Sequence, residues 1–185
     1  MDITEFFQLS AGKWFSQRTV HHLASTDLEI GKSNLVIDFL PQTDPDLSKL
    51  CQKYQIDPGL ALCGTRVTWD GTIGQQAKKH SGATVLVAVA DGGSRTSGKL
   101  LRSGNSPDQD LGTGRYLMGS DQVLTLTISS ETAHIEERLW FASDNLRFRT
   151  STSIPASGFH VTSFCSEIRM GVTTPKPAEA TSAQR

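Results

Sequence analysis

The chain has 185 residues, and its 18 Lys and Arg residues nearly balance its 19 Asp and Glu residues, for a net charge of −1 at neutral pH. This balance argues against the basic surface with which proteins bind nucleic acids or anionic membranes. The longest apolar run, residues 85–90, is too short to cross a bilayer, and the first residues, MDITEFFQ, lack the basic start of an export signal. We therefore expect one soluble, unexported domain that recognises its partners at a local site.

Two helices are predicted in the first third of the chain. Residues 2–9 form a short helix with Phe6 and Phe7 on its inner side, which suits a plug or a lid. Asp44 and Pro45 provide the N-cap and first position of a second, longer helix, whose apolar residues recur at helical spacing until a Pro-Gly pair ends it. The remainder of the chain has a different pattern.

Short strand-like segments make up most of the chain. They are residues 14–24, 33–40, 60–69, 84–90, 98–102, 115–118, 122–129, 134–142, 145–153 and 159–170. Turn-forming residues separate them, among them Asp70-Gly71. About ten short strands with few helices predict a meandering antiparallel sheet, and closing it into a barrel removes the exposed edges. We therefore predict a mainly β fold, a closed antiparallel ten-stranded barrel over residues 1–172, followed by a disordered tail at 173–185.

Three cysteines, Cys51, Cys63 and Cys165, are an odd number without the CxxC or CxxH spacing of metal sites. This argues against a disulfide framework and against zinc. Each cysteine has an apolar neighbour, which favours buried structural thiols over nucleophiles. We expect free thiols, no metal and no resident cofactor.

The hairpin EERLWFASDNLRFRTS, residues 136–151, has an unusual distribution of charge. Arg147, Arg149 and Ser151 share one face of its second strand, and apolar residues share the other. Alternation alone favours a solvated arginine face. A small barrel fills its interior with side chains or with a ligand, however, and arginines inside it must pair with anions. Two such arginines suit a ligand with two carboxylates, with Glu136 across the hairpin as counter-ion or proton donor.

Two tryptophans are candidates for special positions. Gly12-Lys13-Trp14 opens the first strand and resembles the lipocalin-type signature, in which the Trp closes one end of the barrel under an Arg from the last strand. Arg169 is the candidate for this cation–π partner. Trp14 alone is equally well an ordinary core residue. Trp69 is either core or a stacking wall for a flat ligand.

Four stretches together resemble the S-type phycobiliprotein lyases, the CpcS/CpeS-like proteins of phycobilisome-containing organisms. They are FFQLSAGKWFSQRTVHHL at residues 6–23, CGTRVTWDGT around Trp69, ERLWFASDNLRFRTS, and SEIRM at residues 166–170. The resemblance runs in register along nearly the whole chain except the tail. It implies a lipocalin-like barrel, of the fatty-acid-binding-protein kind, with an attached helix. It also implies a lyase that binds an open-chain bilin such as phycocyanobilin and attaches it through a thioether to a cysteine of an apo-phycobiliprotein subunit.

The resemblance further implies the acceptors, the location and the site residues. The acceptors are subunits of the phycocyanin or allophycocyanin type, the location is the cyanobacterial cytosol or plastid stroma, and the bilin is a substrate. Glu136 is the implied catalytic acid, which holds the bilin protonated while the acceptor thiol attacks. The implied ligand contacts are Arg18, Trp69, Arg147, Arg149 and Ser151. Relatives often have a second Trp shortly after Trp69, where this chain has Gln75, so one wall of the site is expected to differ.

Two other functions are compatible with this sequence, one that uses the same pocket and one that does not need it. One is a passive carrier of a bilin or another small lipophilic acid, and the other is a non-catalytic subunit that supports another lyase. If Glu136 faces inward, Ile135, Leu139 and Phe141 face outward and suit an acceptor-docking surface or a dimer interface. The dimer is then a homodimer or a heterodimer with a related lyase subunit.

Overall fold

The computed structural model describes residues 1–23, 28–103, 113–129, 133–155, 158 and 160–171. In this part of the chain ten antiparallel strands form one closed barrel, in which each strand pairs with the next and β1 pairs with β10. The strands are β1 Gly12–His22, β2 Leu28–Leu40, β3 Ala61–Ile73, β4 Lys78–Asp91, β5 Ser94–Arg102, β6 Gly114–Met118, β7 Leu124–Ser129, β8 Ala133–Ser143, β9 Leu146–Pro155 and β10 Val161–Arg169. The predicted fold class is confirmed. The predicted tail lies outside the described residues.

The N-terminal helix, α1 (Ile3–Ser10), closes one end of the barrel. It begins with a capping box: the Asp2 carboxylate accepts hydrogen bonds from the N–H groups of Thr4 and Glu5, and the Glu5 carboxylate accepts one from the Asp2 N–H. Its buried side chains pack against inward-facing residues of β3 to β8 in the main core. The predicted plug is confirmed.

Arg169 at the end of β10 ties α1 to the barrel. Its guanidinium lies 4.2 Å from the centre of the Trp14 ring and donates hydrogen bonds of 2.6 Å to the carbonyl oxygens of Leu9 and Ala11. The Trp14 indole N–H in turn donates to the Ser10 carbonyl at 2.9 Å. The predicted cation–π pair is confirmed. The N–H groups of its two side chains also donate to carbonyls that the end of a helix leaves without partners.

The second helix, α2 (Pro45–Lys53), begins at the Asp44 cap and covers the outer face of β3, β4 and β5. A short 3₁₀ helix at Pro58–Leu60 follows it. Within the described residues, no helix has both the length and the apolar character that a membrane crossing requires. All three cysteines are free and buried, as predicted.

The predicted turn at Asp70-Gly71 is wrong. Both residues lie inside β3, and the turn to β4 comes later, at residues 74–77, where Gly74 and Ala77 have positive φ angles of 76° and 49°. A Cβ atom at Gly71 would collide with the backbone carbonyl of Lys32 on β2. This glycine permits a close approach of two strands, which a turn-based interpretation of Asp-Gly does not consider.

Candidate functional site

The barrel encloses a cavity of about 800 Å³. Phe6, Phe7 and Ser10 of α1 form its floor, and Ile73 and His80 line the opposite end, which we call the mouth. Most of the wall is apolar. The apolar wall residues are Leu35, Ile37, Val67, Leu86, Leu100, Leu124, Leu126, Ile128, Ile135 and Leu139.

One side of the cavity is polar, and we call it the polar stripe. It consists of Ser16, Arg18, Glu137, Arg147, Arg149, Ser151, Ser163 and Glu167, on β1, β8, β9 and β10. Strand pairing arranges these residues in rows across the sheet. The deepest row is Ser16–Glu167–Arg147, the next is Arg18–Cys165–Arg149, and the row nearest the mouth is Ser163–Ser151–Glu137. A fourth lining arginine, Arg102 at the end of β5, lies outside this stripe. A large cavity with largely apolar walls and three of its arginines on one side suits an elongated apolar ligand with acidic groups on one edge.

The two arginines of the hairpin face the cavity. Arg147 is only 5% exposed, and Arg149 and Ser151 line the cavity one and two pleats further along β9. The alternative from alternation, a solvated arginine face, is therefore wrong. On the outer face of the same strand, the Phe148 ring packs 5.7 Å from Trp140 and 5.5 Å from Phe164. The apolar residues of β9 therefore pack against aromatic side chains on the outer face of the barrel, and its charged residues face the cavity.

Glu167 is the anion that balances the deepest arginine. It has no exposed surface, and its Oε2 accepts a hydrogen bond from Arg147 Nε at 2.7 Å and lies 2.6 Å from Arg147 Nη2 in an ion pair. Burial by itself raises the pKa of a carboxyl group, but the charges of Arg147 and Arg149, with hydrogen bonds from Arg147 and Ser16, hold the pKa of Glu167 below its usual value. Glu167 is therefore a charged, fully enclosed group.

Arg149 lies between two carboxylates. Its Nε is 3.7 Å from Glu167 Oε1, and its Nη1 is 3.6 Å from Glu137 Oε1. Burial opposes the charge of Arg149, but the charges of Glu137 and Glu167 more than offset this effect and raise its pKa. Both distances exceed that of a hydrogen bond, and the buried Nε has no hydrogen-bond partner.

Arg18 and Trp69 also line the cavity, as predicted, and each has a buried N–H group without a partner among the described residues. No carboxylate of the described residues forms an ion pair with Arg18. The Trp69 ring lies 6.0 Å from the ring of His80 at the mouth. These side chains have unsatisfied donors that a ligand with carboxylate or carbonyl groups can fill.

Glu136 is not in the cavity, contrary to the expectation for a catalytic acid. It is exposed on the outer face of β8, whereas its neighbour Glu137 lines the cavity. Strand alternation explains the difference, because the observed facing buries Ile135, Leu139 and Phe141, and the opposite facing would bury Glu136 and Arg138 instead. The outer apolar surface predicted from residues 135, 139 and 141 is wrong for the same reason.

The sequence interpretation also missed Glu167. Its signal was available, since Arg169 was predicted to stack on Trp14, and alternation then places Glu167 on the same face of the last strand as Arg169. Alternation places Glu137 on the same face as Leu139, but only the structure shows that this face lines the cavity. No comparable signal in the sequence indicated the position of His80 at the mouth, because that position depends on the length of the β3–β4 hairpin.

Comparisons with known proteins agree with this fold. Residues 2–170 match the family model described as "CpeS-like protein". The "Chromophore lyase CpcS/CpeS" of Thermosynechococcus vestitus is 55% identical over 175 residues, which cover 95% of this chain and 96% of that protein. The "Phycocyanobilin lyase subunit CpcS" of Picosynechococcus sp. is 39% identical, with 98% of this chain and 91% of that protein covered.

A solved structure supports the same conclusion. The S-type phycobiliprotein lyase CPES from Guillardia theta superimposes with a TM-score of 0.82 at 31% sequence identity, over 94% of this chain and 95% of that one. By sequence and by fold, this chain belongs to the CpeS-like family.

Proposed function

We propose that this protein is a chromophore lyase that binds an open-chain bilin, phycocyanobilin or a close relative, and promotes its thioether attachment to a cysteine of an apo-phycobiliprotein subunit. The observation that carries the proposal is the cavity of about 800 Å³ with apolar walls and one charged stripe. Relatives named chromophore lyase and phycocyanobilin lyase subunit support it. We further propose acceptors of the phycocyanin or allophycocyanin type.

The cavity has the chemistry that a bilin requires. A bilin is a chain of four pyrrole-type rings with apolar faces, and two propionates project from its central rings on one edge. The apolar wall contacts the rings, and Trp69 at the mouth offers an aromatic face for stacking. Arginines of the polar stripe hold the propionates through charge-assisted hydrogen bonds, each worth about 1.5–3 kcal/mol. Ser151 lies beside them and supplies a neutral donor and acceptor.

We assign the acid role to Glu137 in place of Glu136. In the reaction, the thiolate of the acceptor cysteine attacks the exocyclic ethylidene carbon of ring A and forms the C–S bond. The electron pair of the C=C bond moves to the adjacent ring carbon, which then takes up a proton, so the addition has no leaving group. The Glu137 carboxylate, inside the cavity and 3.6 Å from Arg149, accepts hydrogen bonds from the pyrrole N–H groups and so keeps the bilin protonated and electrophilic. The barrel also holds the bilin in one reactive conformation.

The test is bilin transfer to an acceptor. Protein, phycocyanobilin and an apo-phycobiliprotein subunit are mixed and then denatured in acid urea, and the bilin absorbance that remains on the acceptor is measured against a control without the protein. We expect faster attachment at a single site with the wild-type protein. We expect Glu137→Gln to slow transfer about 100-fold at saturating bilin, because general acids contribute roughly 10²–10⁴-fold.

Glu136→Gln is the matched control, since it removes the same charge from the adjacent residue on the outer face of β8. We expect it to transfer bilin at the wild-type rate. Equal rates for the two variants contradict the acid role of Glu137. Tight bilin binding with no acceleration of transfer by the wild-type protein contradicts a lyase that acts alone and leaves a passive carrier or a subunit that requires a partner.

A second candidate is a subunit that requires a partner, and the name of the Picosynechococcus relative, a lyase subunit, favours it. This form of the proposal expects bilin binding by the chain alone but transfer only after a related subunit is added. Light scattering after size-exclusion chromatography distinguishes a monomer, a homodimer and a heterodimer.

A further inference from the structure

The three arginines of the polar stripe have different surroundings. Arg147 Nε donates a hydrogen bond to Glu167 Oε2, its Nη2 forms an ion pair with the same oxygen at 2.6 Å, and its guanidinium lies 5.2 Å from the centre of the Trp14 ring. Both members of this pair are buried, with side chains 6% and 0% exposed. Arg147 is thus held by an anion on one side and by an aromatic ring on another.

Arg18 and Arg149 are held much less firmly. The contacts of Arg149 to carboxylates are 3.6 and 3.7 Å long, its side chain is 30% exposed, and its hydrogen bond to a side chain is a weak one of 3.5 Å to the Cys165 sulfur. Arg18 has no carboxylate partner among the described residues, and its buried Nε is unpaired. Both arginines therefore have N–H groups available to a ligand.

We propose that Glu167 is a positioning residue that retains Arg147 in the barrel wall, and that Arg18 and Arg149 hold the two carboxylates of the ligand. This inference rests on the proposed bilin-binding function and assigns separate roles to arginines that the sequence made equivalent. The three arginines and two glutamates of the polar stripe leave one net positive charge in it, and that charge corresponds to the unpaired Arg18.

The strand register supports this division. Arg18 and Arg149 occupy one row, on either side of the small residue Cys165. Two strand spacings separate their backbones, about 9–10 Å, and two long guanidinium side chains can converge over this distance on carboxylates of neighbouring rings. The small side chain of Cys165 between them leaves space on the cavity side of β10 in which the two guanidiniums can approach a ligand.

Arg147 belongs to the row beneath, nearer the floor. Glu167 is bound directly to Arg147 at 2.6 and 2.7 Å, so a ligand carboxylate that reached Arg147 would have to share its guanidinium with a buried charge of the same sign. The carboxylates beside Arg149 are 3.6 and 3.7 Å away and do not occupy its N–H groups in this way. Like charges in an enclosed site repel strongly, because the low local dielectric does little to screen them. Glu167 thus keeps the ligand one row above the floor.

The experiment compares phycocyanobilin with its dimethyl ester, in which both carboxylates are blocked. For each protein, absorbance titrations give the ratio of the ester Kd to the diacid Kd. We expect a ratio well above 10 for the wild-type protein. Arg18→Met and Arg149→Met are each expected to lower that ratio by about 10-fold or more, because each removes charge-assisted hydrogen bonds to one carboxylate.

The decisive variant replaces the buried pair together, Arg147→Met with Glu167→Met, since apolar residues of similar volume usually replace a buried ion pair without loss of the fold. We expect its ratio to stay within about threefold of the wild-type ratio. A loss of diacid preference as large as that of Arg149→Met overturns the proposal, because Arg147 then holds a carboxylate. A wild-type protein that binds diacid and ester equally also overturns it, while bilin transfer by that protein would still support the lyase.

Glu167→Gln provides a readout that a purely structural role would not change. It frees Arg147, so we expect the diacid to raise the Tm of this variant by more than it raises the Tm of the wild-type protein, whereas the ester produces no such difference. Glu167→Asp keeps the charge and should restore the wild-type response. An equal response of Glu167→Gln and wild type to the diacid contradicts the positioning role. Failure of the wild-type protein to bind either pigment instead contradicts the proposed function itself.

Discussion

At the residue scale, Glu167 shows how the charge inside the barrel is maintained. A carboxylate without exposed surface is stable only because two guanidiniums face it, and removing one member of such a pair typically costs about 3–5 kcal/mol. The pKa of Glu167 in the folded protein lies below its usual value, despite the opposing effect of burial. Its ion pairs therefore contribute fully to stability above the pKa of the unfolded chain, about 4.3. The contribution disappears as the pH falls through the lower folded-state pKa.

We accordingly expect a stability difference that depends on pH. Glu167→Gln should lower the free energy of unfolding by about 3–5 kcal/mol near pH 7, because Arg147 loses its buried counter-ion. Below about pH 4.3 the carboxyl group takes up a proton in the unfolded chain before it does so in the folded wild-type protein, so unfolding becomes easier and the difference between the two proteins should shrink. Urea unfolding of both proteins near pH 7 and near pH 3.5 measures it. A difference that is the same at both pH values contradicts a charged Glu167 in the folded protein.

At the scale of elements, three segments meet at the closed end of the barrel. Arg169 at the end of β10 donates to two carbonyls at the end of α1 and to the Asp144 carbonyl between β8 and β9, at 3.0 Å. One side chain thus connects the first helix, the last strand and the hairpin that carries the arginines. Each of these hydrogen bonds has a charged donor, so their combined loss is larger than that of a surface ion pair.

Arg169→Met should therefore lower the free energy of unfolding by about 2–4 kcal/mol and loosen α1. Arg115→Met is the control, because Arg115 is exposed and its ion pair with Asp91 lies at the surface. Its cost should stay below about 1 kcal/mol. Urea unfolding measures both values, and hydrogen exchange of the α1 amides reports the loosening. Equal costs for the two variants would show that Arg169 does not connect these elements.

At the scale of the whole molecule, the barrel combines a stable shell with a large interior space. Outward aromatic and apolar contacts, together with α2, stabilise the shell, whereas the inner surface is divided between an apolar wall and the polar stripe. The inner face contributes to folding through the core beneath α1 and the Arg147–Glu167 pair, whereas the cavity lining nearer the mouth serves mainly for binding. This separation allows a substitution to fill the cavity while the fold is retained.

Ser151→Phe tests this separation. The phenyl ring enters the middle of the cavity beside Arg149, so we expect the affinity for phycocyanobilin to fall at least about 10-fold. Thr150→Phe adds the same side chain at the next residue, on the outer face next to Phe164, and should leave the affinity unchanged. Absorbance titration measures binding, and thermal unfolding checks that both variants are folded. Equal losses of affinity in the two variants would contradict a ligand inside the barrel.

Some of this architecture follows from the sequence alone. Asp2 and Asp44 cap helices that begin where the local pattern predicts, and each predicted strand segment overlaps a strand of the barrel. Trp14 and Arg169 were also paired correctly. These features depend on local hydrogen bonding, on alternation or on a recognisable motif, all of which are present in short stretches of chain. The close resemblance to a known family supplied the barrel topology and the class of ligand.

Only the tertiary structure decided which face of each strand lies inside and which charges meet there. Alternation has a period of two, so it groups Glu136 with Arg138 and Glu137 with Leu139 without saying which pair faces the cavity. Closure of the barrel decides this by burying the more apolar face. The pairing of Glu167 with Arg147 depends in the same way on the register between β9 and β10, which joins residues 20 positions apart. The sequence thus determined the elements and their composition, whereas long-range strand pairing determined the site, because ion pairs form between side chains that the register brings together.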